Sequence, residues 1–294
     1  MQLNIPELES IKIPTTISDE WHTLYRRIKA HCSTEITPVV LFADHGLSTS
    51  KFSLTTSNYT SNFAIEASDG VFYKNDNLLA ADIAIGRYFQ ELGFVKNCKV
   101  ASGTHNLFEY NALEPNRLTN ALAKGSSLAN EINTDFIYLK GVGAGSDLAS
   151  ELLIKSLYKI QAPVNLCNQS HKVAVNDAFV NLKTDGEHPY HYLEKFGGYE
   201  TAAFVGLIFN SIEQGKFILI EGESALAAAS ICIKMFPKTI NFIQPIAYNK
   251  SKVLDDFCQM AGLNKVFNLP PAGPKLFYLE STKNLMKNLS LFEP

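Results

Sequence analysis

The chain has 294 residues, 46% of them apolar and 19% charged, with 26 Lys and Arg against 29 Asp and Glu. That length fits one large α/β domain with a smaller cap, or a single extended domain, and the even spread of basic residues gives no electrostatic reason to expect a nucleic-acid partner. The apolar runs fall short of the roughly 20 residues that span a bilayer, and Met1 to Ile17 mixes acidic and polar residues among apolar ones, so no membrane partner and a cytoplasmic location are expected.

Taken in chain order, Ser18-Asp19-Glu20 precedes an amphipathic segment running to about Ala30, which reads as a capped helix. Short continuous apolar runs of the kind buried in parallel sheets follow at VVLF (39–42), FIYL (136–139), KVAV (172–175) and FILI (217–220). Helical patterns separate them at Leu78 to Leu92, Glu114 to Ile132, Asp147 to Ile160, Thr201 to Gln214 and Ser224 to Phe236. Alternation of this kind predicts a doubly wound, mainly parallel sheet whose ligands sit outside the carboxyl ends of the strands. Asn268-Leu-Pro-Pro-Ala-Gly-Pro274 then breaks the chain before a last amphipathic helix, from about Leu276 to Leu291. The expected α/β body covers 31–269, and the pattern allows the flanks 1–30 and 270–294 to form one small helical domain.

Four loops on the expected ligand edge carry residues of interest. Asp44-His45-Gly46 follows the first strand, where a carboxylate and an imidazole beside a glycine suit a ribose hydroxyl; the plainer reading is a loop Asp over a packed His. Gly141-Val-Gly143-Ala-Gly145-Ser146-Asp147 ends a strand and opens a helix, so its backbone N–H groups suit a phosphate, or Ser146 or Asp147 simply caps the helix. It is neither the dinucleotide fingerprint nor a P-loop. Gly197-Gly198-Tyr199-Glu200 starts an Ala-rich helix, where glycines admit either a ligand or a close-packed neighbour and Glu200 suits the helix dipole. Glu221-Gly222-Glu223 is an acidic loop after the FILI strand, read either as site or as solvated turn.

Other chemistries find little support. His188-Pro-Tyr-His191 lacks the further ligands of a metal site, and no nucleophile elbow or Cys–His signature is present. Cys32, Cys98, Cys167, Cys232 and Cys258 are scattered without CxxC pairs and read as free thiols. No motif asks for a cofactor.

In their order and spacing, FADHGL (42–47), GVGAGSD (141–147), FGGYETAAF (196–204) and ILIEGE (218–223) resemble the nicotinate-nucleotide:dimethylbenzimidazole phosphoribosyltransferase family, whose versions read approximately FAGDHGV, GEMGIGNTT, VGGFEIAAM and VLLDGF. The resemblance runs from about Pro38 to the C-terminus. It implies transfer of phosphoribose from nicotinate mononucleotide to a benzimidazole-like base in cobalamin lower-ligand assembly, with a nucleotide pocket made by Asp44, His45, Gly46, Gly143, Gly145, Ser146, Asp147, Gly197, Gly198 and Gly222. It also implies that the flanks 1–30 and 270–294 form that one small helical domain, and it implies a homodimer, or pairing with a related chain. The family's base is a glutamate in a C-terminal LGEGTGA motif after a strand. Here Val266-Phe-Asn-Leu269 matches that strand, Pro270-Pro-Ala-Gly-Pro274 replaces the motif, and Glu280 downstream is no counterpart. Gly141 stands for an acidic residue, Asn165 to Ser170 replaces a GRGTG segment, and Tyr248 stands near an expected histidine. A weakened enzyme in which Glu200, Glu221 or Glu223 substitutes for the base is one expectation; a non-catalytic paralogue that binds nucleotide or base is the other.

Overall fold

In the computed structural model, residues 21–31, 33–56, 58–68, 77–86, 93–271 and 275–292 are described. The proposed cap at Ser18 to Glu20, Cys32, and Ala272 to Pro274 of the breaker lie outside them.

Strands β1 (Ile36–Ala43), β2 (Leu79–Ala84), β3 (Val95–Asn97), β4 (Phe136–Val142), β5 (Phe217–Glu221) and β6 (Ile243–Ala247) form one sheet in the order β3-β2-β1-β4-β5-β6, and every pair is parallel. The chain winds outward from β1 in one direction, then restarts at β4 and winds outward in the other. The loops after β1 and β4 therefore meet at the topological switch point, at the carboxyl ends of the strands where doubly wound folds bind their ligands. Burial explains the near-continuous apolar strands: every residue of β1, β2, β5 and β6 is buried, so no polar alternation survives.

Ten α-helices lie among the described residues: α1 (His22–His31), α2 (Tyr59–Ser68), α3 (Pro115–Ala129), α4 (Ser146–Tyr158), α5 (Lys172–Val180), α6 (Pro189–Phe196), α7 (Tyr199–Glu213), α8 (Glu223–Met235), α9 (Lys252–Ala261) and α10 (Leu279–Leu291). Helix α7 packs on β1, β2, β4 and β5, and its other side meets α3 over a long contact. Small residues make that approach possible. A Cβ on Gly125 would lie 1.7 Å from the Ala203 carbonyl oxygen, and one on Gly206 would lie 2.0 Å from that of Leu122.

Helices α1 and α10 contact each other. Lys29 Nζ donates to the Ser290 carbonyl at 2.8 Å, and the buried Arg27 guanidinium sits 4.5 Å from the Phe242 ring centroid and 5.3 Å from that of Phe217 while donating to the Asn241 carbonyl. At its other end α10 begins beside Glu221, on the ligand edge of the sheet. Thirteen helical residues rise about 20 Å, so this helix ties one edge of the sheet to the other.

Three segments differ from expectation. KVAV at 172–175 opens helix α5; Val175 is buried but Val173 is 75% exposed, so the run is not the buried strand its apolarity suggests. Leu78 to Leu92 begins with strand β2, not a helix; LAADIA is buried throughout between β1 and β3, and a short run that is apolar but for Asp82 has no clear period by which to tell strand from helix. Residues 87–92 of that segment lie outside the description. Val266 to Leu269 forms no regular strand, although the amides of Val266 and Phe267 donate to the carbonyls of Pro245 and Ile246 at 3.1 and 2.9 Å.

Candidate functional site

The loops after β1 and β4 are joined directly, since the His45 amide donates to the Ala144 carbonyl at 3.0 Å. Helix α7 completes this junction from the other side. Glu200, in its first turn, accepts a hydrogen bond from Ser146 Oγ at 2.8 Å on Oε1, and the same oxygen lies 2.8 Å from His45 Nε2. Glu200 is 0% exposed and His45 2%.

Burial opposes charge on both groups, yet the attraction and hydrogen bond between them outweigh it. Desolvation pushes the imidazole down, but Glu200 brings it above its ordinary value; desolvation pushes the Glu200 carboxyl up, but His45 and Ser146 bring it below its own. The pair is a buried ion pair. Gly198 explains why the turn before α7 carries no side chain: a Cβ there would lie 2.2 Å from Glu200 Oε2 and 2.4 Å from His45 Cε1. Gly197 caps the end of α6, its amide donating to the Leu193 carbonyl at 2.8 Å.

Asp44 faces the other side of the switch point. Its Oδ2 accepts the Gly86 amide at 2.7 Å, whereas Oδ1 is buried without a hydrogen-bond partner among the described residues. Together with His45, Gly46, Ser48, Gly103 and Thr104 it lines an open hollow of about 300 Å³. The Gly46 amide donates to Thr104 Oγ1 at 3.0 Å, which fixes the loop at 102–104 over this hollow. Ser102 to Thr104 carried no signal in the sequence, since nothing local says that a loop after β3 reaches back over β1.

The Gly143–Asp147 loop uses its backbone donors internally. The amides of Ala144 and Gly145 go to Thr60 Oγ1 and Thr55 Oγ1 at 2.8 and 3.0 Å, and that of Ser146 to the Gly143 carbonyl at 3.1 Å. A phosphate expected against this backbone would compete with those partners. Gly145 has φ +83°, left-handed, so glycine is demanded there by conformation whatever binds.

A second cleft, of about 110 Å³, opens between the loops after β4 and β5 and is lined by Tyr59, Gly143, Asp147, Glu223, Ser224 and Asn249 among others. Gly222, at φ +98°, turns the chain from β5 into α8 at its rim. Burial first, then the nearby Glu223, pushes the Asp147 carboxyl up to about 7. Burial, then Asp147 and Glu223, pushes the Tyr59 hydroxyl up to about 12. Tyr59 was not legible as a site residue, because α2 reaches this cleft only through the fold.

The three acidic candidates thus have different surroundings. Glu221 is 0% exposed and accepts from Tyr138 Oη, Lys140 Nζ and the amides of Phe277 and Tyr278, the last two at 3.3 and 3.1 Å. The β4–β5 register sets Lys140 directly beside Glu221. Glu200 belongs to the His45 pair, and Glu223 opens on the small cleft while its Oε1 accepts the Asn249 amide at 2.7 Å. His188 caps α6 by accepting the Tyr190 amide at 3.3 Å.

Fold and site together define a doubly wound α/β protein with its candidate site at the carboxyl ends of its strands. A model of the phosphoribosyltransferase family DBI_PRT matches residues 20–269, and the chain belongs to that family. It is 30% identical over 159 residues to the nicotinate-nucleotide–dimethylbenzimidazole phosphoribosyltransferase of Xanthomonas oryzae pv. oryzae, a match covering 50% of this chain and 45% of that one. It is 24% identical over 261 residues to the protein of the same name from Acetivibrio thermocellus, covering 81% and 73%. The chain spans about half the length of the first of these relatives. A crystal structure of CobT from Thermus thermophilus superposes with a TM-score of 0.82 over 96% of this chain and 92% of that one, at 17% identity, which establishes a shared fold. Among the described residues no helix is long and apolar enough to cross a membrane.

Proposed function

We propose that this chain transfers phosphoribose from nicotinate mononucleotide to a benzimidazole-like base, as its similarity to nicotinate-nucleotide–dimethylbenzimidazole phosphoribosyltransferases suggests. The observation that carries this reading is the His45–Glu200–Ser146 junction at the switch point, built from the loops that match the family's motifs. The nucleotide lies along the crevice formed by the loops at 44–46, 141–147, 197–200 and 221–223. Asp44, which lines the open hollow and has one buried carboxylate oxygen without a partner among the described residues, suits a ribose hydroxyl. Pairing with a second copy or a related chain belongs to the same reading, since two-fold closure is the common form of association.

A non-catalytic binder is the second reading, and Pro270-Pro-Ala-Gly-Pro274 favours it by standing where the resembled family places its glutamate. Loss of a general base costs on the order of 10²–10⁴ in rate. Calorimetric titration with nicotinate mononucleotide, followed by an assay of nicotinate release with benzimidazoles, separates these cases. Binding with turnover supports the enzyme, binding without turnover the sensor or partner subunit, and no binding defeats both.

A further inference from the structure

We propose that the cleft between the loops after β4 and β5 holds a divalent cation of the magnesium kind between Asp147 and Glu223, and that this ion receives the phosphate of the nucleotide. Only the second half rests on the nucleotide binding proposed above. Asp147 stands in the first turn of α4 and Glu223 in that of α8, both line the cleft of about 110 Å³, and no side chain among the described residues donates to Asp147. Glu223 gives Oε1 to the Asn249 amide at 2.7 Å, and Lys140, a cation lining the same cleft, is bound to Glu221. The helix dipoles favour an acid at each place singly. They do not account for two carboxylates in one small cleft, where like charges repel.

Ser224 supplies an independent observation. It is 2% exposed, lines the cleft, and its hydroxyl has no hydrogen-bond partner among the described residues. That hydroxyl lies over Gly141, where a Cβ would come within 1.9 Å of Oγ. The motif GEMGIGNTT carries an acid at this position, so the serine takes the space that the acid's side chain would need. Asp147, in turn, stands where that motif has threonine, and Glu223 where VLLDGF has phenylalanine. One acid is lost from the cleft and two are gained, from segments far apart in the chain.

The donors select the ion. Carboxylate and hydroxyl oxygens suit a hard cation, and among the described residues no three His, Cys, Asp or Glu side chains group around a metal, so the cleft is no all-protein cage of the zinc or calcium kind. Magnesium instead binds through one or two carboxylates, several waters and a substrate's phosphate. There is room for this, since a single water needs only about 10–15 Å³. The phosphate also needs the ion: the amides of Ala144, Gly145 and Ser146 are engaged by Thr60, Thr55 and Gly143, and two carboxylates repel an anion.

The test is calorimetric. The chain, stripped with EDTA and dialysed, is titrated with magnesium chloride alone, and with nicotinate mononucleotide in the presence and absence of magnesium at matched ionic strength. The parent is compared with Asp147→Asn and Glu223→Gln, which keep side-chain shape; a glutamine can still accept the Asn249 amide. The parent should bind magnesium, each variant should bind it about tenfold or more weakly, and magnesium should tighten nicotinate mononucleotide about tenfold in the parent alone. Without magnesium each variant should hold the nucleotide more tightly than the parent, because a repelling carboxylate is gone. Acids that serve only the helix ends would lower the urea midpoint when replaced and leave magnesium binding as in the parent, which overturns the proposal. A parent that binds no magnesium overturns it without recourse to any variant. Magnesium binding that both variants lose, with no nucleotide binding under any condition, upholds the cation site and sinks the nucleotide reading. Nucleotide binding indifferent to magnesium keeps that reading and overturns the ion's part in it.

Discussion

His45 and Glu200 are the residues at which chemistry and stability are most tightly joined. Each is a buried charge made tolerable by the other, so removing one leaves the second uncompensated, at a cost of about 3–5 kcal/mol. The pH dependence follows from the directions of the two shifts. His45 is raised above its ordinary 6.5, so its contribution is fully present below 6.5 and is lost as pH climbs through the raised value. Glu200 is lowered below its ordinary 4.5, so its contribution is present above 4.5 and is lost as pH falls through the lowered value. Urea unfolding should therefore show the parent's advantage over His45→Gln greatest between about pH 4.5 and 6.5, decaying on both sides. A constant difference across the range would mean that the pair carries no net charge interaction. DHG and GGYE were legible as two motifs; that they meet through one carboxylate oxygen was not, because 155 residues separate His45 from Glu200.

At the scale of elements, the α3–α7 crossing has a sharp consequence. Gly125 and Gly206 each stand where a Cβ would overlap the backbone of the opposite helix, so the helices must part to admit one. Gly206→Ala should gain about 1 kcal/mol of helix propensity, yet lose more to separation, for a net destabilisation of about 1–3 kcal/mol. The urea midpoint measures it, and a stabilised variant would show that the crossing has slack. Here the sequence was informative in part. Ala202 and Ala203 announced a close-packed helix, and the patterns at Glu114 to Ile132 and Thr201 to Gln214 found α3 and α7 to within a turn. What they lacked was the partner: small residues make close approach feasible, but only the sheet's winding chooses which helix approaches. The same winding turned LAADIA into a strand.

At the scale of the whole molecule, Glu221 is the knot between sheet and C-terminal segment. It draws Tyr138 and Lys140 from β4 and the amides of Phe277 and Tyr278, from which α10 runs to the far edge of the sheet. Glu221→Ala takes a counter-charge from buried Lys140 and the acceptor from three further donors, and should cost about 3–5 kcal/mol. Limited proteolysis should then release α10 before the body unfolds. A C-terminus as resistant as the parent's would show that the α1–α10 contact alone retains it.

The sequence by itself determined the class of fold and the places of its strand–glycine–helix junctions, because these are local: buried apolar runs, the glycines that follow them, and helix starts within two residues of Ser146, Tyr199 and Glu223 are written in adjacent residues. Tertiary structure alone decided which acids face a cleft and which are walled in. Glu221 and Glu223 lie two positions apart in one motif, yet the parallel register sets Lys140 beside the first, and the turn into α8 opens the second onto the cleft. Long-range pairing decides each carboxylate's solvent and partners, and no local pattern encodes it.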